Sequence, residues 1–178
     1  AISGLELEEE GSAMGLFRYV QDGGVVRNLS LSGNAAPGGS KSQIGLLAGV
    51  NYGRIENCSV SGSVTGAGDV GGIAGINEAT GEIRRCQSAA FVTGDHQAGG
   101  ICGSNYGTLN NCQNSGSINT HSTEVSFSIE DITMDEIEDI NSTEHVAVHT
   151  DTGGIAGYSE GKIYYCANSG TVGYQHVG

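Results

Sequence analysis

A glycine-rich pentapeptide recurs through the chain, and this repetition limits the possible folds more than any other feature. Its copies are Gly45-Leu-Leu-Ala-Gly49, Gly71-Gly-Ile-Ala-Gly75, Gly99-Gly-Ile-Cys-Gly103 and Gly153-Gly-Ile-Ala-Gly157. Each runs into a polar turn (Asn51-Tyr-Gly, Asn77-Glu-Ala-Thr-Gly, Asn105-Tyr-Gly, Ser159-Glu-Gly) and then an apolar residue (Ile55, Ile83, Leu109, Ile163). A cysteine follows three residues later (Cys58, Cys86, Cys112, Cys166), and a degenerate fifth copy with Gly15, Val26 and Leu29 precedes the others. The copies begin at 45, 71, 99 and 153, so they lie 26, 28 and 54 apart; the last interval becomes 26 when a 28-residue insertion is looped out. Self-similarity at such periods is the signature of a stacked repeat architecture.

Within a copy the segments are too short and glycine-rich for helices, whereas Val, Ile and Thr between turn signals favour short strands. The expected fold is therefore all-β, a right-handed parallel β-helix (solenoid) of about five rungs, roughly 24 Å long at about 4.8 Å per rung. We expect a single β-solenoid domain over 1–178, with one acidic insertion at 119–152 between the third and fourth clear repeats. Leu47, Ile73, Ile101 and Ile155 should stack as one apolar ladder, and Val64, Val92, Ile118 and Val172 as another. Three residues separate Ile55 from Cys58, which breaks strand alternation, so the chain should turn there with both side chains inward. Asn28, Asn57 and Asn111 precede the inward residue and suit a left-handed corner, whereas Arg85 and Tyr165 depart from that column. The doublet glycines should relieve a Cβ clash where the backbone bends.

Composition agrees with thin layers rather than a thick core. Glycine accounts for 31 residues without triplet spacing, proline occurs once and tryptophan is absent; these values exclude collagen and disfavour an ordinary globular core. The net charge is −13, which argues against nucleic acid or an anionic membrane as partner. Four acids fall in residues 1–14 and nine in 119–152, with no Lys or Arg in either, leaving 7 acids against 7 bases elsewhere. No apolar run reaches the length of a membrane span and no signal segment opens the chain, so it reads as part of a longer mature protein with flanking domains.

The repeat resembles the GLUG motif, found in tandem in large bacterial surface proteins. The residues that carry the likeness are Gly71-Gly-Ile-Ala-Gly-Ile-Asn with Ile83 and Cys86, together with the sister copies. Ile2-Ser-Gly-Leu5, Gly15-Leu-Phe-Arg-Tyr-Val20 and Val26-Arg-Asn-Leu-Ser30 are similar to the first rungs of such proteins, so that only 119–152 lies outside the likeness. The family is similar to adhesin-like proteins and to the non-catalytic upstream region of IgA1-specific zinc metallopeptidases. The resemblance implies an extracellular or cell-surface location and a display or spacer role.

Candidate chemistry is sparse. Stacked cysteines would hold their Cβ atoms about 4.8 Å apart, beyond the roughly 3.5–4.5 Å of a disulfide, so reduced, packed thiols are expected, in a poorly oxidising setting. Cys102 replaces the alanine of its column (Ala48, Ala74, Ala156) and packs likewise. His145 and His149 are four apart, but Val146 and Val148 alternate with them as in a strand, which would place the imidazoles about 13 Å apart and unable to share an ion. His96, His121, His149 and His176 all precede a new repeat; no metal or cofactor is assigned. The outer columns Arg54, Glu82, Thr108, Lys162 and Glu56, Arg84, Asn110, Tyr164 pair opposite charges, Arg54 with Glu82 and Glu56 with Arg84, instead of clustering the carboxylates a polysaccharide lyase or hydrolase requires. Catalysis is not expected.

Length variation points to one edge. The connections 34–44, 65–70, 93–98 and 119–152 differ in length while the other turns stay nearly constant, and solenoid insertions gather on a face that often binds. In the longest, Val125, Phe127 and Ile129 alternate like a strand, whereas Ile129, Ile132, Ile137 and Ile140 suit a helix face. It lacks the ligand spacing of a calcium loop. Its carboxylates Glu130, Asp131, Asp135, Glu136, Glu138 and Asp139 are the candidate contacts for a host protein or glycan; the alternative is a plain spacer, as in an IgA1-protease-like secreted peptidase.

Overall fold

The computed structural model describes residues 1–8, 11–38, 41–120 and 150–173. Among these there is no helix, and the strands form three parallel sheets. Strands β2 (Phe17–Val20), β6 (Ala48–Asn51), β9 (Ala74–Asn77), β12 (Cys102–Asn105) and β16 (Ala156–Ser159), the segments that follow the first glycine of each copy, make the first sheet. Strands β3 (Val25–Arg27), β7 (Arg54–Glu56), β10 (Glu82–Arg84), β13 (Thr108–Asn110) and β17 (Lys162–Tyr164) make the second. The third contains β1 (Ile2–Leu7), β4 (Ser30–Ala35), β8 (Ser59–Gly71), β11 (Gln87–Gly99), β14 (Gln113–Asn114) and β18 (Ala167–Asn168), with β5 (Ser42–Gly45) beside β8 and β15 (Thr150–Gly153) beside β11. Every strand pairs with its counterpart in the next copy, so the chain is a parallel β-solenoid with five strands in each of its first two sheets, as the repeat predicted.

Parallel in-register stacking places equal residues above one another. Ile55, Ile83 and Leu109 pair in register and are fully buried. Leu47, Ile73 and Ile101, and likewise Val64, Val92 and Ile118, fill the interior between the three walls. Each such side chain contributes roughly 1.5–3 kcal/mol by leaving water. In the last described rung the column continues through Ile163 and Val172, which are 43% and 39% exposed.

Two corners per rung use left-handed backbone. One is the asparagine column: Asn28, Asn57 and Asn111 have φ of 57°, 52° and 53°, and Arg85 and Tyr165 adopt 51° and 52° at the equivalent places. The interruption in residue type therefore leaves the corner unchanged; stacking on both neighbours imposes the angle at a cost isolated residues of these types would rarely meet. The second corner lies at Ala13, Gln43, Asp69, Gln97 and Asp151, with φ between 46° and 65°. It revises the expected connections: 65–70 and 93–98 are not loops but parts of the thirteen-residue strands β8 and β11, which bend at Asp69 and Gln97 without losing their pairing.

The doublet glycines answer a close approach. A Cβ on Gly71 would stand 2.1 Å from the Ala74 carbonyl oxygen and 2.4 Å from the Cα of Cys102 in the next rung. No side chain fits there, and the same holds at Gly45 and Gly99.

Candidate functional site

Glu130, Asp131, Asp135, Glu136, Glu138 and Asp139 lie outside the described residues, as do His121, His145, His149 and His176. What the structure does describe is the platform from which residues 121–149 depart. Val92 pairs with Ile118, an offset of 26, whereas His96 pairs with Thr150, an offset of 54. Between Thr120 and Thr150 an uninterrupted rung would hold a single residue, the counterpart of Asp95. Asn119 ties the two ends together: its Nδ2 donates to the Gly94 carbonyl and to Thr152 Oγ1, both at 2.9 Å, while its Oδ1 accepts from the Gly94 amide at 2.9 Å. On the returning side Gln97 Nε2 donates to Asp151 Oδ2 at 3.0 Å. The Asn119 side chain is nearly buried, so these bonds are shielded from competing water.

The second sheet carries most of the paired charge. Glu56 is its hub: Arg84 Nε donates to Glu56 Oε2 at 2.8 Å across one rung, and Arg54 and Arg85 stand 3.6 and 3.7 Å from the same oxygen. The Arg84 hydrogen bond, followed by the three positive charges, holds the Glu56 carboxyl below its ordinary value of 4.5. The register Arg54–Glu82 is as expected, but their ion pair does not form. Glu82 turns to Arg84 at 3.7 Å and Arg54 to Glu56 in its own strand, because one carboxylate attracts all three guanidiniums.

Four thiols form the predicted column as free cysteines, with Cys58, Cys86 and Cys112 buried and Cys166 half-buried. The amides of Cys58 and Cys112 donate to Sγ of Cys86 and Cys166, each at 3.4 Å. Thiol donation from the neighbours favours the ionised form at Cys58 and Cys112, and the donors Cys86 and Cys166 are raised accordingly. Burial first, and then the negative charges of Cys112 and Asp69, push the Cys102 thiol up. No group of three His, Cys, Asp or Glu side chains placed to hold a metal occurs among the described residues, and no helix among them is long and apolar enough to cross a membrane.

Two ladders escaped the sequence reading. Asn51, Asn77 and Asn105, taken there as turn residues, point inward and are fully buried. Asn77 Nδ2 donates to Asn105 Oδ1 at 2.9 Å and Asn105 Nδ2 to Ser159 Oγ at 3.0 Å. A shorter ladder joins Asn114 Nδ2 to Asn168 Oδ1 at 2.8 Å. Recurrence of Asn at one repeat position was the available signal.

Residues 41–65 match the family described as the GLUG motif. Halomucin of Haloquadratum walsbyi, an archaeal protein, is 36% identical over 78 residues, covering 43% of this chain and 1% of halomucin. A protein named as a Gly-rich membrane protein of Evansella cellulosilytica is 44% identical over 52 residues, covering 29% of this chain and 6% of that protein. The chain thus spans only a small fraction of the length of these curated relatives. No solved structure matches it. The match at 41–65 agrees with the GLUG likeness read from the sequence, and the stacked copies make the chain a repeat module.

Proposed function

We propose that the chain is a non-catalytic extracellular segment of a larger surface or secreted protein, a rigid column that presents the acidic insertion to a partner. The observation that carries this reading is the closed base of the insertion: Asn119 bonds to Thr152, and the rung resumes in register at Gly99–Gly153. An element the column does not need for its own continuity is free to serve recognition. A surface location is supported by the relatives' names, one halomucin and one a Gly-rich membrane protein, and by their length, which suits repeat arrays. The acceptors would be the carboxylates of Glu130, Asp131, Asp135, Glu136, Glu138 and Asp139, complementary to a basic protein patch or to a glycan approached through a cation.

The test is binding of the full chain to arrays of glycans and extracellular host proteins, with and without calcium, beside a variant in which these six residues become Gln or Asn. A saturable partner lost from the variant supports presentation. Silence of the native chain on every ligand would leave the spacer, a reading favoured by the continuous buried ladders, which make the column stiff whatever it carries.

A further inference from the structure

A groove of about 410 Å³ runs along the outer surface of the third sheet, lined by residues at β1, β4, β8, β11 and β14 and by Ser169 next to β18. Two registered columns line it: Ser30, Ser59, Gln87 and Gln113, and beside them Ser32, Ser61, Ala89 and Ser115. On a chain of net charge −13 the groove has no ionisable side chain. Ser59 Oγ donates to Ser30 Oγ at 3.0 Å and Ser115 Oγ to the Ser88 carbonyl at 3.3 Å. The amides of Gln87 and Gln113 and the hydroxyls of Ser32 and Ser61 make no such bond to the described residues. One step along the same outward face stands Phe91, 55% exposed, in a column otherwise of Asn34, Ser63 and Ser117.

We propose that this groove binds a neutral polysaccharide lying along the solenoid axis. Four features select that ligand class. Unspent amides and hydroxyls recur at about 4.8 Å per rung, which suits a polymer offering hydroxyl groups at regular intervals rather than a single compact molecule. The lining contains no charged side chain, so anionic glycans gain no side-chain partner here and meet the repulsion of the whole chain. Phe91, on the same outward face just beyond the groove's lining, offers an apolar surface for the C–H side of a sugar ring that extends past it. Finally, these groups sit on a paired sheet with buried inner residues, so little ordering remains to be done on binding. The proposal is independent of the acidic insertion, whose attachment points Thr120 and Thr150 do not line the groove.

Calorimetric titration of the full chain with neutral gluco- and manno-oligosaccharides, and with oligosaccharides of galacturonate, tests it. The surface variants are Phe91→Ala and the double variant Gln87→Ala/Gln113→Ala, with the six-carboxylate variant as the control for the insertion. Saturable binding of a neutral oligosaccharide is expected, insensitive to salt, weakened about tenfold or more by either groove variant and unchanged by neutralising the insertion. Absence of binding to any neutral chain, equal binding of galacturonate, or full affinity in both groove variants would overturn it. Loss of binding only in the carboxylate variant would overturn it too, by moving the site to the insertion.

Discussion

Asn51 donates its side-chain amide to Asn77 Oδ1 in the next rung at 2.8 Å, and neither side chain has measurable exposure. The chain of amides is directional. Each Nδ2 points toward the later rung, so Oδ1 of Asn51, at the start of the ladder, meets Val20 at the equivalent position of the rung before and has no partner. A middle member is therefore worth more than the first. Asn77→Ala removes the acceptor of Asn51 and the donor to Asn105 and Gly81, at about 1–3 kcal/mol for each buried group left unpaired. Asn51→Ala removes one orphan while creating others, and should cost less. Denaturant midpoints of the two variants give the order; equal losses would mean the ladder adds nothing beyond packing.

Glu56 should give the fold an acid-sensitive component. Its pKa is depressed in the folded state, so its contribution is complete above the unfolded value and disappears as pH falls through the folded one. Glu56→Gln should lower the thermal midpoint at neutral pH, where Arg54, Arg84 and Arg85 lose their common anion. The gap from the native chain should close as pH drops below about 4.5. Parallel melting curves across that range would show that the cluster is only a solvated surface pairing.

Much of this was legible because repeats make their own evidence. Ile55, Ile83, Leu109 and the cysteines after them could be placed inside from spacing alone, since one register satisfies all copies. Asn57 and Asn111 announced a left-handed corner because asparagine is one of the few residues that adopts it readily. The second corner was harder to read: Ala13, Gln43, Asp69, Gln97 and Asp151 share no single residue type, and stacking gives them the same φ. The Asn51 ladder was hidden by the dual character of asparagine, equally a turn former and an amide that bonds to its own kind. Arg54 neighbours Glu82 as expected yet forms no ion pair with it, because register fixes which residues are neighbours, not which of two carboxylates a flexible guanidinium meets. The acidic insertion, present once, has no sister copy to compare.

The thiol column should respond to reagents in order of exposure. With four thiols buried and Cys166 half-buried, a small alkylating reagent should modify Cys166 alone in the native chain and all five cysteines after denaturation. Peptide mapping by mass spectrometry distinguishes them. Rapid native labelling of Cys86 or Cys112 would mean that the rungs open far more readily than their packing implies.

The register across the insertion makes the strongest demand. If Thr120 and Thr150 are one residue apart in an uninterrupted rung, replacing 121–149 by a single glycine should join the strand ends without strain, since the Asn119–Thr152 and Gln97–Asp151 bonds already hold them. Closing so long a loop costs entropy that the excised chain no longer loses on folding, so stability should be unchanged or slightly higher, by about 1–2 kcal/mol at most. The change also removes eight carboxylates, taking the net charge from −13 to −5, which ion-exchange elution verifies. Retained β-sheet circular dichroism with an equal or higher melting temperature is the expected result. Collapse of the excised chain would show that residues 121–149 are part of the column's core, and that the closed base at Asn119 depends on them.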